Sequence, residues 1–212
     1  MAGRAWIRHS VPPGTAPSPQ RIVRKPETLS VRLVIAADRA IYRLARRWLF
    51  LVNSIFVAWA TTIFLAPWLA AHGHTGLARP LYAFNGLFCH QRPDRSFFLW
   101  GHQLACCQRC AAIYCSLAVF GIVFAGCRTR IRRPAWPLLA AATVLLALDG
   151  LTQLAGPRES TPLIRVVTGA LLGLGICSVL LPYLESGFAS MRAQIEHQFA
   201  RLAATGRARP LS

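Results

Sequence analysis

Four long apolar stretches set the plan of this chain: about Trp48 to Ala70, Leu104 to Gly126, Pro134 to Gly156 and Pro162 to Leu184. Each reaches the roughly 20 residues that a helix needs to cross the hydrocarbon core of a bilayer. The pattern predicts an all-α membrane protein, a four-transmembrane-helix bundle over residues 48–184. A fifth apolar piece, Leu81 to Phe88, is too short to span. It is expected to be an interfacial or re-entrant segment that delivers Cys89 and His90, with a plain loop as the alternative. No cleavable signal is expected ahead of Trp48, because the first long apolar run follows an extended Pro- and Arg-rich region.

The flanks have other periodicities. Residues 1–28, with Pro12, Pro13, Pro17, Pro19 and Pro26, cannot build a core and are expected to be a disordered basic tail. Residues 29–47 place Leu33, Ile41 and Leu44 to one side of several arginines, as expected of a basic amphipathic helix lying on an anionic leaflet. In residues 185–212, Phe188, Met191, Ile195, Phe199 and Leu202 recur at three- and four-residue intervals, which predicts an amphipathic helix resting on the membrane surface or on the bundle.

Composition agrees with a membrane class: of 212 residues 54% are hydrophobic and only 15% charged, with a mean hydropathy of +0.41. The net charge of +17 would suggest nucleic acid in a soluble protein. Here the arginines cluster beside the spans, so the charge encodes topology, and no nucleic-acid partner is expected. Arg39, Arg43, Arg46 and Arg47 precede the first span, Arg128, Arg130, Arg132 and Arg133 fill the turn between the second and third, and Arg192, Arg201, Arg207 and Arg209 follow the fourth. By the positive-inside rule these regions are cytoplasmic and residues 71–103 and 157–161 face outward. The expected location is a bacterial cytoplasmic membrane with both termini inside, the bilayer and anionic lipid head groups at the basic flanks being the expected partners.

That topology gathers reactive side chains at the outer face. Cys107 and Cys110 are expected one helical turn apart near the outer end of the second span, with Cys89 and His90 just before it. Two chemistries suit the set. Cys89, His90, Cys107 and Cys110 are ligand types for a zinc or copper ion. Because neighbouring residues rarely hold one ion together, the set could instead take Cys89 or His90 with another donor such as His72, His74 or His102. Alternatively Cys107 and Cys110 cycle between dithiol and disulfide, their thiolates favoured by a helix start and by Arg109. Cys106, Cys115, Cys127 and Cys177 are expected to pack as small hydrophobes.

The third and fourth spans add a polar complement. Asp149 and Gln153 share a helix face, and the acid should pair with Arg109 or Arg165, accept hydrogen bonds, or be protonated. Beyond it come Arg158, Glu159, Ser160 and Thr161, with Arg165 one turn into the fourth span. Either this is a capped turn and a helix-joining ion pair, or Arg158 and Arg165 receive an anionic group while Asp149 manages protons. Gly169, Gly173 and Gly175 permit close helix packing.

The strings from Cys89 to Phe97 and from Cys107 to Tyr114, and Asp149-Gly150-Leu151-Thr152-Gln153 followed by Arg158 to Thr161 and Arg165, resemble the signature of the domain of unknown function 2085 family, small membrane proteins of bacteria and archaea. The resemblance covers roughly residues 80–182. It singles out Cys89, His90, Gln91, Arg95, Cys107, Arg109, Cys110, Asp149, Gln153, Arg158, Ser160 and Arg165 among others, and favours Cys107 over Cys106 as the motif thiol. One departure is Ala111-Ala112 where the family has a small polar residue and glycine. The resemblance implies no particular reaction. The leading expectation is therefore a membrane metal-binding protein, with a membrane thiol-disulfide oxidoreductase and a noncatalytic scaffold as alternatives.

Overall fold

The computed structural model describes residues 29–131, 133–155 and 159–204. The expected disordered tail, residues 1–28, lies outside the described residues, as do Arg132, Arg158 and residues 205–212. The element order is α1 (Leu29–Ala71), α2 (Thr75–Gly86), a 3-10 turn (Pro93–Arg95), β1 (Ser96–Leu99), β2 (His102–Cys107), α3 (Gln108–Cys127), α4 (Trp136–Ala155) and α5 (Pro162–Ala204). All but α2 of these helices are long and apolar enough to cross a membrane.

The first and last helices are longer than a bilayer requires. Each has 43 residues, about 65 Å of helix at 1.5 Å per residue, against a hydrocarbon core of about 30 Å. The juxtamembrane helix and first span are thus one continuous helix, and so are the fourth span and the C-terminal amphipathic segment. Their extensions pack on each other. Phe188 stacks on Trp48 with ring centroids 5.3 Å apart, and the Tyr42 hydroxyl donates to Glu196 Oε1 at 2.7 Å. Arg192 donates to the Ala45 carbonyl at 2.9 Å and pairs with Glu185. Ile195 and Phe199 are buried here, whereas Leu33, Ile41 and Leu44 of α1 stay exposed. The C-terminal apolar stripe is therefore spent on α1.

Within the bundle, α5 packs against α1, α3 and α4, and α3 also packs on α1. Glycines set the spacing of these helices. A Cβ at Gly169 would lie 2.5 Å from the Arg109 carbonyl oxygen and 3.1 Å from Ala112 Cβ, and one at Gly173 would lie 2.8 Å from the Ile113 carbonyl oxygen. Gly175 meets α4 instead, 2.9 Å from Leu139 Cα. The small Ala112, on the helix that departs from the family pattern, thus sits opposite Gly169 and keeps the approach close.

The segment between α1 and α3 differs from expectation. α1 ends in a Schellman motif, with Gly73 at φ +80 and the His74 N–H bonded to the Leu69 carbonyl at 2.8 Å. The chain then turns back along α1 as α2, a helix of 12 residues that begins well before Leu81 and stops before Phe88. Residues 104–107, expected at the start of the second span, belong to an antiparallel hairpin with a turn at Trp100 (φ 52) and Gly101 (φ 77), the positive-φ pair that matches strand twist. An apolar run of this length suits either a strand or a helix, and backbone pairing decided the first.

Candidate metal centre

Two segments converge at the start of α3, where Cys107 is extended (φ −66, ψ 161) as the residue before the helix and Cys110 lies in the first turn. Cys89 comes from the loop after α2. The three sulfurs lie within 4.8 Å of one another. Beneath them an apolar floor contains Ile63, Leu104, Cys106 and Ala111, with Tyr114 packed against it, and Tyr114 is itself stacked on Trp59 at 4.6 Å.

Cys89 is held as an acceptor. Its sulfur receives the backbone N–H of Cys107 at 3.2 Å and that of Gln91 at 3.5 Å. Hydrogen bonds from Cys106, then Cys107 and Cys110, together with the Cys107 amide, hold its thiol well below the ordinary range despite burial. Cys106, which donates to Cys89 and is buried, is pushed the other way. Its sulfur also lies 3.4 Å from Asn85 Oδ1; with one S–H proton it serves one of these acceptors at a time.

Gln91 fastens this loop. At φ 49 it occupies the left-handed region, and its side-chain amide donates to the Tyr82 carbonyl at 2.7 Å and the Ala105 carbonyl at 2.8 Å. Gln103 returns a bond to the Gln91 carbonyl and another to Ser96 Oγ at 3.1 Å. The Tyr82 hydroxyl donates to the Gln103 carbonyl at 2.6 Å, and Asn85, fully buried, donates to Thr62 Oγ1 at 3.1 Å. Tyr82, Asn85 and Gln103 did not stand out in the sequence because their roles are bonds to backbone and to residues far along the chain.

The sulfurs open into a cavity of about 240 Å3 whose wall also includes His90, Arg92, Arg95, Arg109, Gln153 and Arg165. His90 is exposed on the rim, outside the three-sulfur cluster. Arg109 pairs with the buried Asp149, the first of the two partners expected for that acid, while Arg165 donates to Gln108 Oε1 at 3.2 Å. Arg92 and Arg95 both contact Asp94, and the Arg92 guanidinium lowers the Asp94 carboxyl below the usual carboxylate range. Gln153 turns its amide to the Asp149 carbonyl at 2.9 Å. Glu159 is exposed and Ser160 buried, and neither lines the cavity; Arg158 lies outside the described residues. His72, His74 and His102 are exposed and outside the thiol cluster.

Four apolar helices of spanning length and a thiol- and arginine-lined cavity at the start of one of them define a polytopic helical membrane protein that contacts the lipid bilayer. Residues 89–179 match the family described as predicted membrane protein (DUF2085). An uncharacterised protein of Methanocaldococcus jannaschii is 35% identical over 144 residues, covering 65% of this chain and 92% of that relative. Another, from Methanothermobacter thermautotrophicus, is 38% identical over 96 residues, 42% of this chain and 79% of the relative. The chain belongs to this family. No solved structure matches it.

Proposed function

We propose that the protein is a membrane metal-binding protein of the zinc or copper class, with Cys89, Cys107 and Cys110 as ligands. The observation that carries this reading is the convergence of three sulfurs from two separate segments within 4.8 Å. Two backbone N–H groups aimed at Cys89 Sγ add to it, since a ligating sulfur must be a thiolate and such donors stabilise one. Three thiolates suit zinc or copper(I). A fourth tetrahedral position is left for His90 on the rim, or for an exchangeable ligand from the cavity.

Elemental mass spectrometry on chelator-free protein in mild detergent tests the reading. Near-stoichiometric metal is expected in the wild type and in Cys115→Ser, and loss of it in Cys107→Ser and Cys110→Ser. Equal, near-zero metal in all four would sink the proposal.

A second reading rests on Cys107 and Cys110 standing astride the start of α3, one helical turn apart, a spacing that suits a dithiol-disulfide pair. A thiol-disulfide oxidoreductase would show no metal, two thiols titrating only after reduction, and a mixed disulfide with a substrate when one of the pair is removed. In either case the arginine distribution supports a cytoplasmic membrane with both termini inside, and the basic extension of α1 is suited to anionic head groups.

A further inference from the structure

The geometry points to a phosphate-binding subsite in the arginine-lined half of this cavity, beside the three cysteines. Arg165 carries the inference. It is 5% exposed, lines the cavity, and has a neutral partner in Gln108. Its Nε has no hydrogen-bond partner, and no carboxylate pairs with it among the described residues. A buried guanidinium without a counter-charge is costly unless an anion completes it.

The surroundings point the same way. Arg109, which also lines the cavity, likewise has a buried Nε without a hydrogen-bond partner, and Arg95 adds a further guanidinium whose Nε lies 3.5 Å from Asp94 Oδ2. Among the described residues two carboxylates, Asp94 and Asp149, answer the four arginines of the wall. Three thiolates about a divalent ion would add one net negative charge and still leave the cavity positive. The start of α3, which no side chain caps, contributes the positive end of a helix dipole. Guanidinium groups from several directions suit the oxygens of a tetrahedral phosphate, which accept paired N–H bonds. Phe88, half-exposed at the mouth, provides apolar surface where a lipid-borne phosphate would enter.

This subsite deepens the metal reading by naming what the centre acts beside, yet it rests on the arginines. Full-length protein in phosphate-free detergent is titrated by calorimetry with inorganic phosphate, with dioctanoyl phosphatidylglycerol, and with dioctanoylglycerol as the phosphate-free control. At least one phosphate probe should bind and the control should not. Arg165→Gln and Arg95→Gln should each weaken binding by about 10- to 100-fold, as expected for one charged hydrogen-bonding group, with metal content unchanged. Binding of inorganic phosphate identifies a free anion as sufficient; binding of the lipid alone identifies a head group. Should Arg165→Gln fail to fold, Arg95→Gln at the rim decides. Binding no tighter than the control, or unaffected by the folded arginine variants, overturns the subsite. Phosphate binding in a metal-free wild type would retain the subsite and remove the metal centre.

Discussion

Arg109, in the first turn of α3, forms an ion pair with Asp149 near the far end of α4, joining two helices that both pack against α5. The acid is 9% exposed, and that guanidinium is its ion-pair partner. The pair also orients Arg109 toward the cavity wall, linking bundle packing to the thiol cluster.

Asp149→Asn leaves the cation partly buried without its counter-charge. A loss of about 1–3 kcal/mol is expected, below the usual cost of breaking a fully buried pair because Arg109 is partly exposed. Thermal unfolding in detergent reads it. Adding Arg109→Gln should cost little more, since one interaction is removed in either case; fully additive losses would show that the two side chains act separately.

Gln91→Ala removes an amide that bonds two backbone carbonyls and leaves a left-handed residue held only by its own backbone bonds to Cys89 and Gln103. About 1–3 kcal/mol of stability should go with it. The sharper readout is alkylation of metal-free protein followed by peptide mass spectrometry: Cys89 should label faster than in the wild type while Cys177, far along α5, does not change. Unaltered Cys89 labelling would mean that the loop is held by other contacts.

Gly173→Ala places a methyl group against Ser116 and the Ile113 carbonyl. Overpacking of this kind costs about 1–3 kcal/mol. Gly187→Ala, in the same helix but with open space around it, should stabilise by up to about 1 kcal/mol through helix propensity. Opposite shifts in unfolding temperature are expected. A neutral Gly173→Ala would contradict close α3–α5 packing.

Asp94 is exposed, and its carboxyl is lowered first by Arg92. A depressed folded-state value stabilises above the unfolded carboxylate range, and that contribution disappears as pH falls through the folded value. Unfolding midpoints measured from about pH 6 to about pH 3 should therefore fall slightly more steeply in the wild type than in Asp94→Asn. Identical slopes would indicate that the Arg92–Asp94 contact persists equally in the unfolded chain.

The four spans were legible because crossing a bilayer demands long apolar runs, a one-dimensional signal that Leu, Val, Ala and Phe carry without reference to any neighbour. The Cys89, Cys107 and Cys110 set was legible as ligand-type chemistry, and Asp149 as an acid needing a cation, because both follow from residue type and spacing. Only the tertiary structure chose Arg109 over Arg165 for that acid, since the choice depends on how Gly169 and Gly173 let α5 approach α3. It likewise turned residues 104–107 into a strand and bound them to the Gln91 loop, because hairpin pairing and a left-handed φ are decided by partners distant in sequence. Hydrophobic length reports how a segment meets lipid; which polar groups meet one another is a property of the packed bundle.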